Sequence, residues 1–379
     1  MLKNNELINK KYRVLEKIGS GGMSNVYLVC DEQTGRNWAM KEAKSEEGDI
    51  RQSLIAEANI LKQLRHKGLP QIVDIIEEGS RFFIVMEYVQ GDSLKKVLDR
   101  DGPQKEDRVI EWGIQICSVM GYLHSRTPMI IYRDLKPSNI ILKPDGSLML
   151  IDFGTARRYK YNRSEDTINL GTKGYAAPEQ YGNLGQTDPR TDIYTLGATL
   201  FHLVTGKHPQ DSPKEFPMIR NVDSSLSPEL EQIIARCCQT NALQRYQSCA
   251  DVARELILLQ EKRDKSRYLY LTGFAVSAVA FVLSAILAGR SSFRNIVFDL
   301  LCLVFIGAGA VMGFLFLSGN RPQQGSVKKY ASMIDTSHTD MGSGIINGEG
   351  TASIHLNEGT GLIVEDEILL LASREIIVP

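Results

Sequence analysis

The chain has 379 residues, which is too long for one ordinary domain and favours two regions. Its 44 basic and 45 acidic residues give a net charge of −1, so the basic surplus that nucleic-acid binding usually needs is absent. Six cysteines without a C-x-x-C pair fit neither a zinc site nor a disulfide framework. Residues 1–267 are mixed and charged, whereas residues 268–319 are almost uncharged, which predicts a boundary near residue 268.

The charged part is predicted to begin as β-structure and to continue as helices. Short β-rich runs between glycine and polar turns predict strands at 12–18, 25–30, 38–42 and 82–86. Apolar residues at helical spacing predict one helix among them, at 53–64. Beyond Gly91 the pattern predicts helices at 93–98, 108–124, 192–205 and 228–238. We therefore expect a β-rich small lobe followed by a helical large lobe.

Two uncharged runs follow. The run 268–289 has 22 residues, which as a helix would cover about 33 Å, enough to cross a bilayer core. A second run, 300–319, lies in a predicted helix at 297–319. A buried core helix is the weaker alternative for two such runs, so we predict a transmembrane helical hairpin in contact with the lipid bilayer. Gly309 and Gly313 fit close packing within the hairpin or a homodimer face.

Basic residues flank the hairpin on its outer sides. The positive-inside rule then predicts a cell-membrane protein with two spans, whose N-terminal part and C-terminal tail are cytoplasmic. The tail, 320–379, is predicted to be a linker rich in Ser, Thr and Gly followed by strand-like runs at 353–356 and 362–371. Its pattern indicates no function.

A glycine-rich segment, 19–26, lies between two predicted strands. Glycines let a backbone fold tightly over phosphates and donate amide hydrogen bonds, although such hairpins are common. Lys41 follows in a short predicted strand. A phosphate-binding lysine needs an acid to hold it, and Glu57 on the next predicted helix is preferred over Glu42 and Glu47.

The segment 132–139, Tyr-Arg-Asp-Leu-Lys-Pro-Ser-Asn, carries the strongest signal. Asp134 can accept the proton of an attacking hydroxyl, and Lys136 can neutralise charge on a transferring phosphoryl group. Asn139 and Asp152 can supply oxygen ligands to Mg²⁺. Transfer of a phosphoryl group from ATP requires these functions in one site.

The order and spacing of these motifs resemble the protein kinase superfamily over residues 12–260. Ala177-Pro178-Glu179 and Arg245 lie where the family places an acid and its arginine partner. Lys136 and the segment 171–175 are similar to Ser/Thr kinases, and the glycine loop and membrane tether resemble bacterial ones. The resemblance implies an α+β, two-lobed protein kinase fold, here followed by the transmembrane hairpin.

The resemblance also implies residue roles. The catalytic set is Asp134, Lys136, Lys41, Glu57 and Thr172, with Thr172 bonded to Asp134 and Lys136. The metal set is Asn139 and Asp152. The implied nucleotide contacts are Ile18, Gly19, Ser20, Gly21, Gly22, Met23, Ser24, Asn25, Val26, Ala39, Lys41, Glu87, Val89 and Asp92, the last of them toward the ribose.

The expected function is ATP- and Mg²⁺-dependent transfer of the γ-phosphate to Ser/Thr hydroxyls of proteins, in membrane-associated signalling. Arg133 beside Asp134 predicts autophosphorylation at Thr167, with Ser164 and Thr155 as weaker candidates. Ser24, Tyr132, Trp38 and Met40 depart from the family pattern without removing a catalytic group. The alternative is a catalytically silent membrane scaffold with a kinase fold. A small-molecule phosphotransferase would lack the Ala-Pro-Glu motif.

Overall fold

The computed structural model describes residues 2–21, 24–44, 48–79, 81–158, 171–181, 186–211 and 218–290. The N-terminal part is a six-stranded antiparallel sheet with the order β1-β2-β3-β4-β6-β5 and one helix, α1. Its elements are β1 (Leu7–Ile8), β2 (Tyr12–Ser20), β3 (Ser24–Asp31), β4 (Asn37–Ala43), α1 (Gly48–Leu61), β5 (Ile72–Glu78) and β6 (Arg81–Glu87).

The two faces of this sheet bury different clusters. Because side chains alternate along a strand, β2 and β3 send Val14, Tyr27 and Val29 to one face, where they pack with Met40 of β4. On the other face, Leu54 and Ala58 of α1 pack against Phe82 and Ile84 of β6. The helix is thereby fixed against the strand that neighbours Lys41.

The C-terminal part is mainly helical. Its elements are β7 (Asp92–Ser93), α2 (Leu94–Asp101), α3 (Glu106–His124), β8 (Ile130–Ile131), β9 (Ile140–Leu142), β10 (Leu148–Leu150), β11 (Arg157–Arg158), α4 (Pro189–Thr205), α5 (Ile219–Val222), α6 (Pro228–Cys237) and α7 (Cys249–Arg290). The strands form a sheet of order β10-β9-β7 and a β11-β8 pair, and these short strands carry the polar loops of the site.

Helix α4 is the central element of this part. Asp188 caps its N-terminus by accepting a hydrogen bond from the Arg190 amide, and Pro189 occupies the first turn. Gly206, with φ 69°, ends it in the left-handed conformation. Almost every residue of its last four turns is buried, as expected for a helix surrounded by others.

The predicted two-lobed protein kinase architecture is confirmed. Helix α1 runs over Gly48–Leu61, so the predicted bounds 53–64 were displaced toward the C-terminus. The strand β5 was missed, as were the short strands β1, β7, β8, β9 and β11.

The first predicted span, 268–289, falls in the last part of the continuous helix α7. Among the residues that the structure describes, no helix is both long and apolar enough to span a membrane. The second predicted span, 297–319, and the tail, 320–379, lie outside the described residues.

Candidate active site

The side chain of Lys41 lies between two carboxylates. Its Nζ donates hydrogen bonds to both oxygens of Glu57, at 2.8 and 2.7 Å, and to Oδ1 of Asp152 at 2.9 Å. Lys41 and Glu57 are 7% and 2% exposed. Burial opposes the charge of Lys41, but the attraction of Glu57 and then Asp152 outweighs it and raises the lysine pKa. Lys41 is therefore held as a fixed cation between Glu57 and Asp152.

Asp152 joins the two lobes at this point. Burial alone would raise its pKa, but Lys41 outweighs that effect and holds the pKa below its ordinary value, so Asp152 is ionised at neutral pH. Its side chain remains 49% exposed, which leaves carboxylate surface free for a ligand. The next amide, Phe153 N, donates to Glu57 Oε1 at 3.1 Å, which fixes the segment against α1.

Asp134 is the centre of a second cluster. Its Oδ1 accepts a hydrogen bond from Thr172 Oγ1 at 2.6 Å, and its Oδ2 lies 2.7 Å from Lys136 Nζ. Lys136 also lies 2.5 Å from Thr172 Oγ1. The Asn139 amide group donates to Asp134 O at 2.9 Å and to Oδ2 at 3.0 Å. Residues from two separate segments, 132–139 and 171–175, thus fix one carboxylate in place.

Asp192 of α4 fixes the loop that carries Asp134 through hydrogen bonds to the loop backbone. This carboxylate is fully buried and accepts hydrogen bonds from the amides of Tyr132, at 2.9 Å, and Arg133, at 2.7 Å, and lies 2.8 Å from His124 Nε2. Arg133 has φ 69°, a left-handed backbone conformation that residues other than glycine rarely adopt. Such strain persists where surrounding contacts over-determine the backbone, as Asp192 does here.

Tyr132 contacts the segment that carries Asp152. Its ring meets that of Phe153 edge to face, with centroids 5.0 Å apart. The Tyr132 hydroxyl also donates to Ile151 O at 2.5 Å. Asp152 itself has φ 67°, so this packing stabilises a strained backbone.

The residues predicted to bind a metal suit a hard cation. The Asn139 amide nitrogen is committed to Asp134, which orients the amide oxygen away from that carboxylate. The Ile151 amide donates to Asn139 O at 2.9 Å, so Asn139 is joined directly to the residue before Asp152. An amide oxygen and an ionised, half-exposed carboxylate are the ligand types that Mg²⁺ takes together with phosphates and water.

Most of the predicted nucleotide contacts lie on β2, β3, β4 and the end of β6. In the glycine-rich turn between β2 and β3, Gly21 N donates to Ser24 O at 2.9 Å and Ser20 Oγ bonds Asn25 Oδ1 at 3.0 Å. Ile18 is 43% exposed. Five more predicted contacts lie on this sheet or directly after it: Gly19 on β2, Val26 on β3, Ala39 on β4, Glu87 at the end of β6 and Val89 just beyond it. Gly22 and Met23 lie outside the described residues.

Asp92 differs in its surroundings from the others. Its carboxylate is paired with Lys96 at 3.2 Å and Arg100 at 2.8 Å on α2. A contact from Asp92 to a ribose would therefore compete with these two ion pairs.

A buried ion pair fastens the segment after Thr172 to the large lobe. Arg245 Nη1 and Nη2 donate to the two oxygens of Glu179, at 2.7 and 2.9 Å, as the sequence predicted. Burial opposes the charge of Glu179, but the hydrogen bond from Arg245 outweighs it and lowers the pKa. Thr191 of α4 donates a further hydrogen bond to Glu179 at 2.8 Å.

Sequence reasoning missed Gln180 and gave His124 no specific partner. Gln180 Nε2 donates to Arg133 O at 2.9 Å, and its Oε1 accepts from Ala177 N at 2.9 Å. It therefore connects the Ala-Pro-Glu segment to the strained residue before Asp134. The only sequence signal for this role is its position directly after the motif.

Comparison with known proteins agrees with this arrangement. A family model described as the protein kinase domain matches residues 12–257. The chain is 30% identical over 264 residues to the serine/threonine-protein kinase PrkC of Bacillus subtilis, covering 66% of this chain and 40% of that protein. It is 32% identical over 262 residues to a probable serine/threonine-protein kinase PknB of Lactococcus lactis, covering 65% and 41%. A probable serine/threonine-protein kinase of Clostridium acetobutylicum is 29% identical over 269 residues, covering 66% and 40%. The chain thus spans about two fifths of the length of these curated relatives.

Proposed function

We propose that this chain, which belongs to the protein kinase family, transfers the γ-phosphate of ATP to serine and threonine hydroxyls of proteins. The observation that carries the proposal is the cluster around Asp134. The carboxylate of Asp134 is 10% exposed and lies within 3.0 Å of donor atoms of Thr172, Lys136 and Asn139. Lys41, Glu57 and Asp152 form a second cluster. The names of the relatives support protein hydroxyls as the substrate class.

The residues divide the reaction between them. Lys41, held by Glu57, binds phosphate oxygens of ATP. Asp134 accepts the proton of the substrate hydroxyl as its oxygen bonds to the γ-phosphorus and the bond to the β–γ bridging oxygen breaks, releasing ADP. Lys136, 2.7 Å from Asp134, stabilises the charge on the transferring group. Thr172 orients Asp134 and leaves space for a small hydroxyl-bearing side chain.

Asn139 and Asp152 would hold Mg²⁺. When bound, that ion would offset the negative charge of the phosphates. The two residues are fixed before any ligand arrives, Asn139 by Asp134 and Asp152 by Lys41.

The test is transfer of labelled phosphate from Mg-ATP to a generic basic protein by the full chain in detergent. Asp134→Asn should abolish transfer to Ser and Thr, because the amide cannot accept the proton. The control is Asp145→Asn, an exposed aspartate in the turn between β9 and β10. ATP binding without transfer in the wild-type chain would favour the silent scaffold instead.

Autophosphorylation belongs to the same proposal. Arg133 is 6% exposed and donates from Nε to Thr155 O at 2.6 Å, so its guanidinium lies beside the start of the segment 152–179, which holds the candidate phosphorylation sites. Thr167 is the first candidate, with Ser164 and Thr155 behind it; Thr167 and Ser164 lie outside the described residues. Mass spectrometry of active enzyme after incubation with Mg-ATP should find phosphate in 155–167, and an unmodified segment would reject this part.

Membrane attachment is proposed on sequence grounds. The uncharged runs 268–289 and 300–319 and their basic flanks support two spans with the catalytic part and tail in the cytoplasm. Retention in membranes after alkaline carbonate washing tests attachment. Proteolysis of sealed vesicles tests the orientation, because both ends should be cut only from the cytoplasmic side. A homodimer through Gly309 and Gly313 would be detected as concentration-dependent crosslinking.

A further inference from the structure

The side chain of Gln180 holds two backbone segments at once. It is buried, with 4% of its surface exposed. Its Nε2 donates to Arg133 O at 2.9 Å, and its Oε1 accepts from Ala177 N at 2.9 Å. One planar amide group therefore joins the loop that carries Asp134 to the segment that carries Thr172.

The hydrogen bond to Arg133 O acts on the peptide unit that carries Asp134. That carbonyl belongs to the planar peptide bond between Arg133 and Asp134, so fixing the carbonyl fixes the direction in which Asp134 continues the backbone. At the other end of the same residue, Arg133 N donates to Asp192 Oδ1 at 2.7 Å. The left-handed conformation of Arg133 is thus held at both of its backbone polar groups, by Asp192 and by Gln180.

The hydrogen bond from Ala177 acts on the turn that carries Thr172. Thr172 O accepts from Tyr175 N and from Ala176 N, each at 3.0 Å, which closes this turn on itself. Ala177 follows directly, and its amide donates to Gln180. The position of Thr172 is therefore connected to Gln180 through a short run of hydrogen-bonded backbone.

The backbone of Gln180 is fixed to the large lobe. Its neighbour Glu179 receives two hydrogen bonds from the buried Arg245, at 2.7 and 2.9 Å, and a third from Thr191 of α4 at 2.8 Å. The backbone at Gln180 thus follows the large lobe, and the reach of the glutamine side chain determines where the two segments lie.

The position requires an amide. The side chain must donate to Arg133 O and accept from Ala177 N, and among side chains of this length only glutamine offers both at neutral pH. An ionised glutamate would bring a second acceptor oxygen against the Arg133 carbonyl. Space is limited as well, because a Cβ on Gly171 would lie 3.0 Å from Gln180 Nε2. The residue before Thr172 therefore also lies close to this amide.

We propose that Gln180 is a positioning residue that sets the contact between Asp134 and Thr172. Thr172 Oγ1 donates to Asp134 Oδ1 at 2.6 Å, and Gln180 holds the backbone next to each of them. Without this bridge the two segments separate, and Asp134 loses the hydroxyl that orients it toward the substrate. The inference rests on the proposed function, because it concerns the group that accepts the proton in that reaction.

The test is phosphate transfer from Mg-ATP by the full chain in detergent, with kcat and KM determined separately at a temperature where each variant is folded. Gln180→Met should lower kcat roughly 10-fold or more, because small displacements of catalytic groups are costly. The KM for ATP should stay within about twofold, since Lys41 takes no part in the bridge. Gln180→Glu keeps the size and the acceptor for Ala177 N but loses the donor to Arg133 O. It should show the same split, and it carries the test if Gln180→Met does not fold.

Gln115 of α3 provides a matched control. Its Oε1 accepts from Leu148 N at 2.9 Å and its Nε2 donates to Gly146 O at 3.2 Å, so it forms the same kind of bridge in the turn between β9 and β10. Gln115→Met removes a comparable pair of hydrogen bonds and leaves the contacts of Asp134 in place. It should keep the kcat of the wild type.

A double-mutant cycle with Thr172→Val shows whether Gln180 acts through the contact. In the Thr172→Val background, Gln180→Met should lower kcat by less than about twofold, because the contact is already absent. A further 10-fold loss in that background would overturn the proposal, since Gln180 would then act by another route. Loss of kcat in Gln115→Met equal to that in Gln180→Met would also overturn it, because any lost bridge would then have the same effect.

The same assay separates this inference from the proposed function. An active wild-type chain with unchanged kcat in Gln180→Met and Gln180→Glu would reject the inference alone. A wild-type chain that binds ATP and transfers no phosphate would reject the proposed function and the inference together.

Discussion

Replacing Arg245 by methionine should destabilise the large lobe by about 3–5 kcal/mol, the usual cost of removing one partner from a buried ion pair. The arginine side chain is fully buried, while Glu179 is 15% exposed. Arg245→Met leaves that carboxylate with Thr191 as its remaining side-chain donor among the described residues. Thermal and denaturant unfolding followed by tryptophan fluorescence measure the loss. Arg190→Met, which removes a partly exposed partner of Asp188, should cost less than about 1 kcal/mol.

The double variant Glu179→Met/Arg245→Met separates two accounts of this loss. Buried ion pairs replaced by apolar residues are often neutral, so a simple pair would recover its stability. Arg245 also donates to three backbone carbonyls, of Gln239 at 2.7 Å, Arg190 at 2.9 Å and Thr240 at 3.2 Å. Each hydrogen bond to a charged group is worth about 1.5–3 kcal/mol, so the double variant should stay at least about 2 kcal/mol below wild type. Full recovery would refute the view that Arg245 also holds these carbonyls.

Three further outcomes are expected. Glu57→Gln should lower kcat for phosphate transfer roughly 100-fold, because Lys41 loses one of its two charged partners and keeps only Asp152; Glu78→Gln, on the exposed end of β5, should not. Thr172→Val should lower kcat about 10- to 100-fold by removing the hydroxyl between Asp134 and Lys136, whereas Thr172→Ser should keep most of it. Burial lowers the pKa of His202 to about 4, so as the pH falls below 6.5 the unfolded state binds a proton before the folded state does. The free energy of unfolding should therefore decrease between pH 6.5 and about pH 4. Denaturation midpoints measured across this range should decrease less in His202→Gln than in the wild type.

The parts of the site that sequence predicted best are those whose geometry is local. Asp134, Lys136 and Asn139 lie within six residues, so the turn that contains them almost fixes their mutual distances. The pair of Glu179 and Arg245, 66 residues apart, has no such local cause. Only its position within the family pattern predicted it.

The sequence analysis missed or misassigned other features for physical reasons. Strand β5 has a register irregularity between Ile72 and Asp74. It interrupts the alternation of apolar and polar residues from which strands are predicted. The first turns of α1, from Gly48, carry few apolar residues, so helical periodicity begins only later. Asp92 was given a ribose contact by its position in the family pattern, but it lies just before α2, where its carboxylate pairs with Lys96 in the first turn of that helix.

Tyr132 tests whether a departure from the family pattern weakens the site. Tyr132→Phe keeps the ring against Phe153 and removes only the hydroxyl bonded to Ile151 O, so it should cost about 1–3 kcal/mol of stability with kcat nearly unchanged. Tyr132→Ala also removes the ring, which should cost about 3–5 kcal/mol and release Asp152 from its left-handed conformation, lowering kcat together with stability. Tyr88→Phe, at an exposed tyrosine, is the control. If Tyr132→Ala retained full activity at a temperature where it is folded, the ring would not position Asp152, and the packing beneath the site would be structural alone.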